Sequence, residues 1–302
     1  MMKRINKDNG HGRPRSRRGH VRGVRRRDEH MDMQKIQEEM MKVQAKYMAN
    51  PTPENIAKMQ TELAALSAQL AGAVGDAAAT FDASDLFEDE NYDEFIKDNP
   101  PPQGTEKYLP IGAVLIATHF EPWLTFASTV GPEDWAGPMK SGWGLKDAKA
   151  GREMLALLME GRHYQKFGTE FRKLKAGQPN KLDKESVSNY KETMNAIKEY
   201  MPNLVSKAEK CDNIIAWDLD RVGYLARVFF NMKWIPEAEM IEWIGKAAKR
   251  IKEEYADWDE YILSLVIGRG VAFSFDEVVT DIAATVLNEG ADLMKKHPLK
   301  SL

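Results

Sequence analysis

The chain has one cysteine, Cys211, in 302 residues, so it can close no internal disulfide and cannot build a multi-cysteine metal site. That fits a reducing compartment, and the cytoplasm is the expected location. Long apolar runs are also lacking. The longest, Leu109 to Ala117, is about half of the roughly 20 residues needed to cross hydrocarbon, so no membrane span is expected. The charged N-terminus is not followed by the apolar stretch of a secretory signal. There is no glycine-rich phosphate loop, Gly-x-Ser-x-Gly, His-Glu-x-x-His or calcium-loop pattern, which lowers the expectation of the common hydrolase and nucleotide-binding classes. Histidine is sparse beyond the first thirty residues: His119, His163 and His297 stand at no helical spacing that would pair two of them. His119-Phe120-Glu121 could offer two zinc ligands, short of a site. Neither a cofactor nor a metal is expected.

No tryptophan precedes Trp123, although the chain has seven, which places the core in the C-terminal two-thirds. Charge is divided as unevenly. Residues 1–30 hold eleven Lys or Arg against three Asp or Glu, a charge of +8, so the remainder carries −11 of the net −3. An acidic body is a poor partner for a phosphate backbone, which leaves nucleic-acid association to the first thirty residues alone. Their run Gly10 to Arg27 has no apolar periodicity and is expected to be disordered, either as an anionic-surface arm or as an extension upstream of a true start at Met31 or Met33.

Periodicity divides the rest. Met33, Ile36, Met40, Val43 and Tyr47 alternate three and four apart, and Ile56, Met59, Leu63, Leu66 and Leu70 repeat the seam after Asn50-Pro51-Thr52-Pro53. Residues 31–75 therefore read as an antiparallel helical hairpin whose exposed apolar edges should seek the core, a second copy or another protein, through residues 33–74. Asp76 to Asp98 contains nine acidic residues against one lysine, and Pro100-Pro101-Pro102 follows. Residues 76–104 read as an acidic, proline-ending linker that tacks its aromatics onto the core. Residues 105–302 carry one amphipathic stripe after another: Leu145 to Lys175 with Gly161 as a possible break, Asp183 to Met201, Ile214 to Met232, a helix begun by Pro236, one capped by Asp257 with Glu260, and a last one capped by Ser274 with Glu277. The expected fold is all-α, an irregular multi-helix bundle preceded by the hairpin and the linker.

Four residues are candidates for a site: Asp218, Arg221, Arg269 and His163. Asp218 shares its stripe with Ile214, Val222, Leu225 and Phe229, and Arg269 shares one with Ile262, Leu265 and Val266. Unpaired burial of either charge would cost several kcal/mol, of the order expected for an isolated buried ion, so Asp218 is expected to pair with Arg269 or Arg221 inside the bundle. Such a pair is first a clasp that fixes helix register. Its alternative is a polar pocket for a small ligand, with His163 as the group suited to proton transfer near neutrality.

At these residues the sequence resembles the bacterial domain of unknown function 1266 family. Trp217-Asp218-Leu219-Asp220-Arg221 is similar to its Trp-Asp-x-x-Arg helix, and Trp258 with Asp259-Glu260, then Ile267-Gly268-Arg269, to its Trp-x-Glu and Gly-Arg elements. Gly142-Trp143-Gly144-Leu145 and Gly161-Arg162-His163 resemble its opening segments, with an arginine between Gly161 and His163 and the aromatic after Gly-Arg displaced to Phe273. The resemblance spans roughly residues 140–275. It implies a bacterial, soluble, helical protein and no substrate.

The leading expectation is a non-enzymatic interaction or assembly protein. The alternatives are an enzyme or small-ligand binder using the Asp/Arg/His cluster, and nucleic-acid association through the basic arm.

Overall fold

The structure, a computed structural model, describes residues 90–302 together with Lys46 and Lys58, both helical and exposed. Apart from those two lysines, the basic extension, the hairpin and the first part of the acidic segment lie outside the described residues. The chain divides into two compact units, Met1–Phe81 and Asp82–Leu302. The second unit thus takes in part of the acidic stretch, and among its described residues every regular element is helical.

The acidic stretch is itself helical at its end. Helix α1 (Glu90–Asp98) leads into the prolines, and its Tyr92 hydroxyl donates to the carbonyl of Phe120. Asn99 just beyond it accepts from Thr125 Oγ1 at 2.6 Å. The segment is therefore tied to the core by its aromatic and its last turn.

Local chemistry sets the next boundaries. Helix α2 (Ala113–Ala117) is buried at every position and starts from Gly112, whose φ of 86° is left-handed. Helix α3 (Pro132–Trp143) has Pro at its first position and ends on Gly144 at φ 67°, the Pro-in, Gly-out asymmetry expected of helix ends. Asp147 caps α4 (Ala148–Met159) through Ala150 N–H at 2.8 Å. The anticipated break at Gly161 is real: φ 79° there turns the chain into α5 (Arg162–Lys175).

Asp183 caps α6 (Lys184–Tyr200), which stops short of Pro202, and a single further turn and a half makes α7 (Val205–Lys210). Helix α8 (Ala216–Asn231) is followed by α9 (Glu237–Glu254), begun by Pro236. Asp257 caps α10 (Trp258–Ala272), accepting Glu260 N–H at 2.9 Å, while Glu260 receives Ala256 N–H at 2.7 Å. The cap of α11 (Glu277–Glu289) is Asp276 rather than Ser274, because the Ser274 carbonyl is turned to Arg269. A short α12 (Ala291–Lys296) follows.

Helix α8 is the axis of the unit. Thirteen of its sixteen residues are buried, and it packs against α2, α4, α5, α9 and α10. A helix enclosed on all sides has no polar face to give up, so the four aliphatic and aromatic positions Leu219, Val222, Leu225 and Phe229, all fully buried, contribute about 1.5 to 3 kcal/mol each. Glycine allows the closest of these contacts. A β-carbon on Gly112 would stand 2.4 Å from Tyr224 N, and one on Gly223 would stand 2.6 Å from Ile111 O, so the turn before α2 lies backbone to backbone on α8.

Candidate functional site

The four candidate residues converge only in part. Asp218, in the first turn of α8, is fully buried and faces the N-terminus of α5. The N-cap of α5 is a left-handed glycine, Gly161, with no side chain to offer the first-turn N–H groups. Asp218 supplies the missing acceptor from another helix. Its Oδ2 takes His163 N–H at 3.0 Å and Tyr164 N–H at 2.9 Å, and its Oδ1 takes the His163 Nδ1–H at 2.6 Å. A carboxylate has about four acceptor positions, and these three donors face both of its oxygens. The bond from Nδ1 fixes the ring's orientation and leaves the lone pair of a neutral imidazole on Nε2.

Arg221 lies one turn further along α8. Its guanidinium is stacked over Trp217 at 4.1 Å and Trp143 at 4.7 Å. One of its terminal nitrogens is 3.3 Å from both His163 ring nitrogens, which places it against the imidazole and not in an ion pair with Asp218. Burial pushes the Arg221 guanidinium down to about 10; the field of Asp218 opposes that shift, and those of Arg269 and Arg162 add to it.

The anticipated bridge from Asp218 to Arg269 or Arg221 is not formed; among the described residues Asp218 pairs with His163 alone. The reason is local demand. The uncapped turn at Gly161 claims the carboxylate, while Arg269, at the end of α10, finds nearer oxygens: it donates to the Ser274 carbonyl and to Asp276 Oδ2 at 2.8 Å. Arg269 thus ties the end of α10 to the start of α11. Its neighbour Gly268 has a packing role, since a β-carbon there would be 2.8 Å from Trp217 Cβ and 2.9 Å from Ile214 O. The Trp-Asp and Gly-Arg elements therefore meet through glycine and tryptophan, not through opposite charges.

Sequence reasoning missed a second polar cluster on the same helix. Asp220, fully buried, accepts Gly112 N–H at 2.7 Å and the Tyr261 hydroxyl at 2.6 Å on one oxygen, and its other oxygen has no hydrogen-bond partner. Burial pushes its carboxyl up to about 6 against the pull of those two bonds and of Arg227 and Arg221. Asp220 thus holds the amide of the left-handed Gly112 itself, whereas Asp218 receives the first-turn amides beyond Gly161. Arg227, two turns on and equally buried, donates to the carbonyls of Trp123 at 3.2 Å and Leu109 at 2.5 Å. Tyr224 donates to His119 Nε2 at 3.1 Å while His119 Nδ1 bonds Leu115 O at 2.8 Å. Desolvation lowers the pKa of that imidazole, which holds it neutral with both nitrogens occupied. Glu121 accepts both the N–H and the hydroxyl of Thr129. The one signal in the sequence was the seven-residue interval between Asp220 and Arg227, which sets both on one face of the helix.

Access to the first cluster is limited. His163 keeps a quarter of its side chain exposed, whereas Asp218 has none. Trp217 covers Arg221, but Trp258 does not seal the group: it packs on Tyr261 and donates to His297 O at 2.9 Å. A cleft of about 530 Å³ lies at the far end of α5, lined by Arg172, Lys175, Lys210 and Asp212 among others, away from these residues. Among the described residues no helix is long and apolar enough to cross a membrane.

Residues 139–297 match the family described as Protein of unknown function (DUF1266). No curated protein and no solved structure matches the chain. The matched segment takes in α8, α10, both ends of the Asp218 cap and more than half of the chain. The chain belongs to the DUF1266 family.

Proposed function

We propose that this protein is a non-enzymatic interaction or assembly protein, in which the helical unit is a rigid body and the Asp218 cluster holds its helices in register. One observation carries this reading: the Asp218 carboxylate is wholly buried and engaged by three donors of α5. An acid or base in catalysis must reach the proton it moves, directly or through one water. Among the described residues Asp218 reaches only His163 and the backbone of α5, and no serine, threonine or cysteine there hydrogen bonds to either side chain. The assembling element is the pair of heptad stripes Met33–Tyr47 and Ile56–Leu70, whose apolar edges call for a second copy or a partner helix.

Sedimentation of the full chain against a chain lacking residues 31–75 tests this. The full chain is expected to associate with itself or with a captured partner in a concentration-dependent way, and the shortened chain to lose that association. Identical monomers that capture nothing differently would remove the reading.

A further inference from the structure

We infer that Arg221, with His163 and Arg162 beside it, forms a binding niche for a small oxyanion, a carboxylate or a phosphate group. The inference is independent of the assembly reading and starts from how this chain treats its arginines. Arg152 donates to both oxygens of Glu239, Arg227 to the Trp123 and Leu109 carbonyls, Arg250 to the Met159 carbonyl, and Arg269 to Asp276 and the Ser274 carbonyl. Arg221 is largely buried, yet among the described residues it donates to no oxygen. There its one polar neighbour within hydrogen-bond reach is His163, and its buried Nε has no partner.

A largely buried guanidinium that donates to no carboxylate is disfavoured unless something offsets the lost hydration, and here the fields of Asp218 and Asp220 do so only in part. The two indoles against it offset more of that loss. The N–H bonds of the planar group lie along its edge, the geometry that meets a carboxylate or phosphate oxygen. One terminal nitrogen lies against His163, and the other is neither hydrogen-bonded nor buried, so it reaches the surface. Half-buried Trp143 and the quarter-exposed His163 ring stand against the guanidinium, and exposed Arg162, next to His163 in the chain, donates to Met154 Sδ at 3.6 Å.

The field at Arg221 is mixed: Asp218 and Asp220 favour its charge, and Arg269 and Arg162 oppose it. Asp276 answers Arg269, and the two carboxylates are buried with donors of their own, which leaves Arg221 and Arg162 as the two cations of this group that donate to no oxygen among the described residues. The pair lies in a body that is acidic overall outside its first thirty residues, so the general charge of the protein does not account for it. Stacking holds the donor edge in place before any ligand arrives, which reduces the ordering cost of binding.

The test is a titration of the full chain with sodium phosphate and, separately, sodium acetate, at an ionic strength held constant with sodium chloride, read by tryptophan fluorescence because two indoles touch Arg221. A saturable change beyond the chloride control is expected. A response to phosphate alone assigns a phosphate-bearing ligand, and a response to acetate assigns a carboxylate. Arg221→Lys, which keeps the charge and loses the fork, should raise the half-saturating concentration by roughly tenfold. Arg162→Gln, at an exposed position that leaves folding intact, should raise it several-fold. No saturable response to either anion, or a response that both variants reproduce unchanged, overturns the inference. If Arg221→Lys does not fold, Arg162→Gln decides alone.

Discussion

The Asp218 carboxylate closes the first turn of a helix that begins more than fifty residues earlier in the chain, receiving the N–H groups of His163 and Tyr164 at 3.0 and 2.9 Å. Removing it leaves those two amides and the His163 ring N–H without acceptors. A lost cap costs about 0.5 to 2 kcal/mol and a stranded buried donor about 1 to 3. Asp218→Ala should therefore destabilise the unit by roughly 2 to 4 kcal/mol in urea unfolding, from the same magnitudes. Asp218→Asn keeps an acceptor for the backbone and should cost less than half as much.

Asp220 makes a prediction of the opposite kind. Its carboxyl is raised by burial to about 6, above an unfolded value near 3.9. Between those values the folded protein holds the proton more tightly than the unfolded chain, so this group's contribution to stability is present at low pH and is lost as pH rises from about 4 to about 6, by on the order of 3 kcal/mol. Carboxylates with lowered values, such as Glu239 with its Arg152 partner, pull the other way, so the difference between two proteins is the quantity to measure. Asp220→Asn keeps an oxygen for Gly112 and Tyr261 and cannot ionise. Its stability relative to the parent should rise across that interval in unfolding curves recorded at a series of pH values.

Backbone contact makes Gly112 less replaceable than its solvent-facing counterparts. A β-carbon there meets Tyr224 N at 2.4 Å, and φ is +86°. Alanine is both strained and in collision, so Gly112→Ala should lower stability by about 3 kcal/mol or more. Gly177, also left-handed at φ +66° but with open space around it, should lose about 1 kcal/mol from strain alone on the same substitution. Parallel thermal melts compare the two.

Arg269 and Asp276 form a pair of their own, with the arginine side chain 13 % exposed. A double-mutant cycle on Arg269→Ala and Asp276→Ala should return a coupling of about 1 kcal/mol. The same cycle on Arg269 and Asp218 should return a value near zero, since they share no contact.

The fold class and most helix boundaries were legible because they rest on short-range chemistry. Asp183, Pro202, Pro236 and Asp257 act within one turn of where they stand. Ser274 was mistaken for a cap because the residue that fills that role, Asp276, is selected by Arg269, a side chain of the preceding helix. The inward placement of Asp218 also followed from its stripe, but its partner did not. A stripe gives the direction of a side chain and is silent on which of the facing groups lacks a bond. The requirement came from Gly161, whose left-handed φ leaves α5 without a cap of its own. Asp220 and Arg227 escaped notice for a related reason: α8 is buried all round, so no polar face marks the two charges as exceptional.

The most direct measurement is amide hydrogen exchange in the parent protein and in Asp218→Ala under native conditions. If the carboxylate is the cap of α5, the amides of His163 and Tyr164 lose protection by about tenfold or more, while those of Lys173 to Lys175 at the far end of the same helix change much less. Unchanged protection at His163 and Tyr164 would contradict the account.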